Sequence, residues 1–234
     1  MGKKILGIIK LILCVLILTY AESYFFELLA WVGLDHSGWS ALAKALLILV
    51  LYLVIAYAIY LVYRDDLSSD FSRFKRNWFP NVLMSVVFFA IITIVVWVVG
   101  YLCEALAGSF RVNYLGLSYL NVFNKVIDFN LVLLIIKRIM IIPFISTSIY
   151  ILGVNEIFDS KKAGMFFSGL VAAVVAALSL RGNFLFVLIN VIPYFTLCFG
   201  LAYIYRKNNN NIWFSITSSI LYTLLAGLLI AKFI

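Results

Sequence analysis

The sequence predicts an all-α protein, a polytopic bundle of about seven transmembrane helices that forms one integral membrane domain over residues 1–234. Of its residues, 65% are hydrophobic and only 12% are charged, and the mean hydropathy is +1.12. So little polar surface cannot cover a soluble globule. The apolar residues fall into runs of roughly 20 residues, the length that crosses a hydrocarbon core as a helix. Helices are expected because lipid offers no partner for unpaired backbone groups.

Seven apolar runs follow one another along the chain. They cover residues 5–33, 41–63, 80–103, 133–155, 164–180, 184–205 and 212–231. A signal peptide is an alternative interpretation of the first run, because Lys3 and Lys4 precede it. Apolar residues resume at Tyr24 and continue to Trp31, which favours a transmembrane helix.

Prolines and small residues mark three of these runs. Pro143 and Pro193 lie inside the fourth and sixth runs, where each removes a backbone hydrogen bond and bends the helix. The fifth run has a row of small residues that permits close packing against a neighbouring helix. These residues are Gly164, Gly169, Ala172, Ala173, Ala176 and Ala177.

The distribution of Lys and Arg predicts the orientation, because positively charged loops stay in the cytoplasm. If the N-terminus is inside, most basic residues fall on the cytoplasmic side: Lys3, Lys4, Arg64, Arg73, Lys75, Arg76, Lys161, Lys162, Arg206 and Lys207. The other side holds fewer, among them Arg111, Lys125 and Arg181. We therefore expect a cytoplasmic N-terminus. The net charge of +8 is spread over short loops, and this pattern does not indicate nucleic-acid binding.

Two segments between runs are longer than simple turns. The loop from Arg64 to Trp78 mixes both charges with aromatic residues, and we expect it at the cytoplasmic surface, with its basic residues near lipid phosphates. Residues 104–130 are external in this topology and predict an interfacial helix or a docking surface for a partner, with a lid packed on the bundle as the alternative. The candidate partner-binding residues are Tyr114, Tyr119, Phe123 and Phe129.

Charged residues inside apolar runs are candidate functional groups, because they are costly in a membrane. Five of them lie near the outer ends of the first, second and fourth runs: Glu22, Glu27, Lys44, Lys137 and Arg138. In one interpretation they pair across helices or reach the external interface. In the other they line an external cavity, as a transporter or ligand-binding protein requires.

Residues suited to metal or nucleophilic chemistry are scarce. Cys14, Cys103 and Cys198 have no metal-binding spacing and are typical of buried packing residues. His36 is the single histidine, so the sequence excludes a metal site built on several imidazoles, and we expect neither a metal nor a cofactor. Asp35 beside His36 is the one visible acid–base pair, and a surface role is the simpler interpretation.

The last four runs carry three patterns in a fixed order. A proline, Pro143, precedes the first pattern, and a tryptophan, Trp213, precedes the third. The positions of interest are Ser146, Thr147 and Ile151 in the first pattern, Ala173 and Ala177 in the second, and Ser219 and Thr223 in the third. This order resembles the core of the CPBP family, the CAAX proteases and bacteriocin-processing enzymes also called the Abi family. The family motifs are E-E-x-x-x-R, F-x-x-x-H and H-x-x-x-N/D.

The resemblance implies an intramembrane protease fold without its chemistry. In the family, glutamates and histidines position and activate a water for peptide hydrolysis; here Ser146 and Thr147 replace the glutamates, and Ala177 and Ser219 replace the histidines. An alkyl group cannot bind a metal or accept a proton, and a hydroxyl is a weak base at neutral pH. We therefore expect no enzymatic activity.

The function that the resemblance implies is binding. We expect a protein of a bacterial plasma membrane that acts as a scaffold, regulator or immunity factor for an envelope enzyme, an exporter or a bacteriocin. Its expected partners are the lipid bilayer and a membrane or envelope protein, with the oligomeric state open. The alternative is a membrane subunit of a peptide or drug transporter, which the outer charged residues and the two prolines favour. Against this alternative, the chain has no evident internal repeat and no ATP-binding loop.

Overall fold

The computed structural model of the protein describes residues 2–34, 38–107, 129–179 and 184–233. All regular elements in these ranges are helices, as the sequence predicts. In chain order they are α1 (Gly2–Trp31), α2 (Ala41–Val62), α3 (Arg64–Arg76), α4 (Trp78–Ala107), α5 (Phe129–Ile135), π1 (Ile136–Ile141), α6 (Ile142–Thr147), π2 (Ser148–Gly153), α7 (Lys161–Ser179), α8 (Phe184–Lys207) and α9 (Ile212–Phe233). The elements from α5 to π2 are continuous in sequence, and we call residues 129–153 the central helix.

Six helices in the described residues are long and apolar enough to cross a membrane. They are Lys4–Trp31, Ala41–Val62, Trp78–Leu106, Ile136–Gly153, Lys161–Leu178 and Phe184–Lys207. These six helices coincide with the first six predicted runs. The seventh run is helical as well, and its described apolar segment is the shorter Ile212–Leu224.

The central helix contains the most enclosed residues of the bundle. Between residues 145 and 154 every residue except Ser146 is buried, and Ile145, Ile149 and Val154 have no exposed surface. Helices α1, α2, α7, α8 and α9 pack around it. Lipid is as apolar as these side chains, so helices associate in a membrane mainly through close packing, and an enclosed helix is where most of that packing occurs.

Pro143 lies where the central helix departs from α-helical spacing. Proline has no N–H to donate. Directly before it, the N–H of Ile142 donates to the carbonyl of Lys137, five residues back, which is π-helical spacing. The structure therefore accommodates this proline with a wider turn, and α8 likewise continues past Pro193 to Lys207.

The small-residue face of the fifth run packs closely against α8, as the sequence predicts. A Cβ atom at Gly169 would lie 2.9 Å from the ring of Phe195 and 3.0 Å from its backbone carbonyl oxygen. Ala172 and Ala173 are buried on the same helix. Only glycine at position 169 lets α7 and α8 approach to this distance.

Residues 64–78 are not a loop, and this prediction was wrong. Most of the segment is the helix α3, which buries Leu67, Asp70 and Phe74 on one face. Acidic residues occupy its first turn and basic residues its last turn, which favours a helix through its dipole. The high charge content indicated a loop, but the spacing of the buried residues is that of an amphipathic helix.

The turn between α8 and α9 is built from asparagines. Asn209 and Asn210 have φ angles of 55° and 54°, in the left-handed region that asparagine tolerates better than most residues. Asn211 ends the turn, and its side-chain oxygen accepts a hydrogen bond from the N–H of Trp213 at 3.0 Å. This turn fixes where α9 begins.

Candidate functional site

The seven positions of the family resemblance lie on neighbouring elements inside the bundle. α6 packs against α9, and π2 packs against α7 and α9. Five of the positions are buried and two, Ser146 and Ala177, are half-buried. The buried ones are Thr147, Ile151, Ala173, Ser219 and Thr223.

Three hydroxyl groups at or next to these positions bond to backbone carbonyls of their own helices. Ser146 donates to the carbonyl of Pro143 at 3.4 Å, and Thr223 donates to that of Ser219 at 2.9 Å. Ser148, next to Thr147, donates to the carbonyl of Phe144 at 2.7 Å. Such bonds satisfy a hydroxyl that is surrounded by apolar groups. A nucleophilic serine needs instead a base within hydrogen-bond reach.

The described residues contain no group of three or more His, Cys, Asp or Glu side chains that could hold a metal ion. The three cysteines are free and buried, in agreement with a packing role. Asp35 and His36 lie outside the described residues, as do Tyr114, Tyr119 and Phe123. Phe129 begins α5 and is 60% exposed.

Two of the five outer charged residues form an ion pair between α1 and the central helix. The Lys137 ammonium lies 3.1 Å from Oε2 of Glu22, and the Tyr52 hydroxyl donates to the same oxygen at 3.3 Å. The Lys137 side chain is 6% exposed and the Glu22 side chain 41%. The ammonium also lies 5.1 Å from the centre of the Tyr52 ring. We call Glu22, Tyr52 and Lys137 the outer cluster.

The other three charged residues are placed differently. Glu27 is exposed and Lys44 is half-buried, and neither forms an ion pair with any residue that the structure describes. Arg138 is half-buried beside Lys137. The structure therefore brings Glu22 and Lys137 together, and places Tyr52, which the sequence did not suggest, with them.

At the opposite end of the bundle, α3 caps the first turn of α9. The carboxylate of Asp70, 3% exposed, accepts a hydrogen bond from the N–H of Ile212 at 2.9 Å and pairs with Arg73. The Asn211 amide donates to the Asp70 carbonyl at 3.1 Å, and the Trp213 indole N–H donates to that of Leu67 at 2.9 Å. A carboxylate at this position satisfies an N–H that has no partner in its own helix and complements the helix dipole. We call this arrangement the Asp70 cap.

Further polar contacts join this end of the bundle to α1. Lys4 pairs with Asp159 at 2.6 Å, and Lys10 pairs with Glu156 at 2.6 Å. The Lys10 ammonium also lies 4.3 Å from the centre of the Tyr63 ring, which is buried at the end of α2. These contacts hold α1 against the segment that follows the central helix.

Arg206 links the end of α8 to the same segment. Its guanidinium donates to the side-chain oxygens of Asn155 and, at 3.3 Å, of Asn210. A Cβ atom at Gly164 would lie 2.6 Å from the Asn155 oxygen, so the small residue there makes room for the pair. Arg206 was predicted only as a topology determinant, and its pairing with Asn155 was not predicted.

Asp66 at this end of the bundle has a shifted pKa. Partial burial raises the pKa of Asp66 above its ordinary value, and the charges of Asp70 and Glu156 raise it further. Lys10 opposes this rise in the pKa. An elevated carboxyl pKa near several acids is a property of structural clusters as well as of catalytic ones.

Sequence reasoning missed Asp70, although its pattern was available. Leu67, Asp70 and Phe74 recur at helical spacing, so an acid on the buried face of an amphipathic helix was detectable. Its partner, the N–H of Ile212, is 142 positions away along the chain and could not be inferred from that pattern.

Comparison with known proteins gave no match: no protein-family model, no curated protein and no solved structure is similar to this chain.

Proposed function

We propose that this chain is a non-catalytic, CPBP-like protein of a bacterial plasma membrane that acts by binding a membrane or envelope protein. It would serve as a scaffold, regulator or immunity factor for an envelope enzyme, an exporter or a bacteriocin. The observation that carries this proposal is that two hydroxyl groups are hydrogen-bonded within their own helices. At the positions that resemble the family's catalytic residues, Ser146 and Thr223 donate to carbonyls of their own helices.

The same region supports binding over catalysis through its surroundings. Ile151, Ala173 and Ser219 are buried; an aliphatic side chain neither ionises nor binds a metal ion, and a serine hydroxyl does not ionise at neutral pH and is a weak base. The bundle keeps these helices in close contact, and the seven positions themselves carry aliphatic or hydroxyl side chains. A helix bundle of this kind is suited to presenting a binding surface to another protein.

The proposed topology has seven spans, with α9 as the last and the N-terminus in the cytoplasm. It is supported by the clustering of basic residues at one end. Lys4, Lys10, Arg73 and Arg206 all make polar contacts near the Asp70 cap or the segment after the central helix. Positively charged ends of membrane helices stay in the cytoplasm. Labelling of an Ile234→Cys variant from outside intact cells tests this topology, because the proposal places residue 234 outside.

The test of the binding function is brief crosslinking in native membranes, purification in mild detergent, and mass spectrometry of the proteins recovered. The expected result is one protein partner in stoichiometric amount. Recovery of the chain alone would contradict the proposal.

A separate assay tests the absence of catalysis. Purified protein is incubated with a library of prenylated and leader-containing peptides, with and without divalent metal ions. We expect no cleavage. Metal-dependent cleavage that is lost in a Ser146→Ala, Ser219→Ala variant would overturn the non-catalytic proposal.

The outer cluster favours one second candidate, a transport subunit. Lys137 is buried and its partner Glu22 is part-exposed, so an anionic group of a substrate could replace the Glu22 carboxylate beside the Lys137 ammonium. Replacing Lys137 and Arg138 by Gln should then abolish substrate movement in a vesicle assay. Unchanged transport in that variant would exclude this role for the cluster.

A further inference from the structure

One flank of the helix α3 carries basic side chains without acids. Arg64, Phe71 and Lys75 are spaced by seven and four residues, so they share one flank of the helix. Asp66 is one turn away from Asp70 on the other side, and the buried face lies between the two flanks. The flank of Arg64, Phe71 and Lys75 therefore carries two positive charges and no acid.

This flank also carries exposed aromatic surface. The Phe71 side chain is 45% exposed, and Trp78, at the start of α4, is 63% exposed. Trp78 is the first residue of an apolar helix long enough to cross a membrane, which puts it at the depth of the lipid headgroups. Arg64 follows the apolar helix α2 by two residues and Lys75 precedes Trp78 by three, so both bases lie near that depth, where the phosphates of a lipid leaflet are found.

The flank is in direct contact with the Asp70 cap. The ring of Phe71 packs against that of Trp213, with 4.8 Å between the ring centres. Trp213 in turn donates its indole N–H to the carbonyl of Leu67 in α3. A ligand held on the flank would thus hold α3 against the first turn of α9.

We propose that the flank formed by Arg64, Phe71 and Lys75, together with Trp78, binds the headgroups of anionic phospholipids, and that this binding keeps α3 docked on α9. The proposal requires only that the protein crosses a membrane, and it does not depend on the proposed function. Anionic lipid, and not a protein, is the occupant that fits, because each of the two bases lies within three residues of the end of an apolar helix long enough to cross a membrane.

The test compares nanodiscs of pure phosphatidylcholine with nanodiscs that also contain phosphatidylglycerol. For the unmodified protein, phosphatidylglycerol should raise the Tm by about 4 °C, a rise that high salt removes. Amide hydrogen exchange in residues 64–76 should slow under the same conditions, because docking protects α3. The Arg64→Gln, Lys75→Gln variant should lose both effects.

A matched control carries the same change of charge elsewhere. Lys161 and Lys162 are exposed in the first turn of α7, and the Lys161→Gln, Lys162→Gln variant should keep both effects. Equal loss in the two variants would mean that only net charge matters and would overturn the proposal. An unchanged Tm rise in the Arg64, Lys75 variant would overturn it as well. If that variant does not fold, Lys75→Gln alone should halve the Tm rise.

Discussion

The carboxylate of Asp70 accepts a hydrogen bond from the backbone N–H of Ile212 at 2.9 Å, and so joins the short helix α3 to the beginning of the last helix. The two residues are 142 positions apart in sequence. The bond is buried, and its acceptor is charged, which makes it stronger than a neutral hydrogen bond. The start of α9 is therefore positioned by a residue from a different element.

Removing the Asp70 carboxylate should destabilise the protein. Asp70→Ala leaves the Ile212 N–H buried without an acceptor and Arg73 without its acid, and we expect a loss of about 3 kcal/mol in the free energy of unfolding. Unfolding by SDS in mixed micelles measures this loss. Asp65→Ala is the control, because Asp65 is exposed on the same helix. Equal effects of the two substitutions would show that the cap does not stabilise the fold.

Removing Glu22 from the outer cluster should lower the free energy of unfolding more than removing Lys137. Glu22→Ala leaves the buried Lys137 without its acid and should cost about 3 kcal/mol. Lys137→Met should cost less, because the remaining Glu22 side chain is 41% exposed and can be solvated. The combined Glu22→Leu, Lys137→Met variant should recover most of the stability. A double-mutant cycle measured by SDS unfolding gives the coupling energy, and additive losses would contradict the pairing.

A side chain at Gly169 should separate α7 from α8. Gly169→Val places new atoms against the ring and carbonyl of Phe195, and overpacking of this kind costs about 1–3 kcal/mol. Gly38→Ala is the control, since no atom lies within 4 Å of a Cβ at that position. Thermal unfolding in nanodiscs compares the two. A Gly169→Val protein with unchanged Tm would show that the close approach is dispensable.

Asp66 should make the stability depend on pH. Its pKa in the folded protein lies above the ordinary value of 3.8, so the folded state binds a proton more tightly than the unfolded state does. The ionised carboxylate therefore destabilises the fold at neutral pH, and stability should rise as the pH falls through the folded pKa toward the ordinary value. Asp66→Asn should raise the Tm at neutral pH and flatten this part of the profile. A Tm–pH profile identical to that of the unmodified protein would contradict the assignment.

The candidate sites were predictable only in part. The sequence located Glu22 and Lys137 as unusual charges near the outer ends of two runs, and pairing across helices was one of its two interpretations. Tyr52 was not predicted, because its contribution depends on how α2 rotates against α1. Nor does the sequence predict the Asp70 cap, since the high charge of residues 64–78 indicates a loop and the Ile212 N–H that Asp70 binds belongs to a distant turn.

The sequence by itself determined that the chain is helical, where its long apolar helices lie and which helix has a small-residue face. These properties follow from local composition, because a membrane requires contiguous apolar residues and internally satisfied backbone groups. The tertiary structure alone decided that Pro143 follows a π-helical turn, that Lys137 pairs with Glu22, and that Asp70 caps α9. Each of these depends on the rotation and register of one helix against another. Close packing of the whole bundle sets that geometry, and no local sequence pattern predicts it.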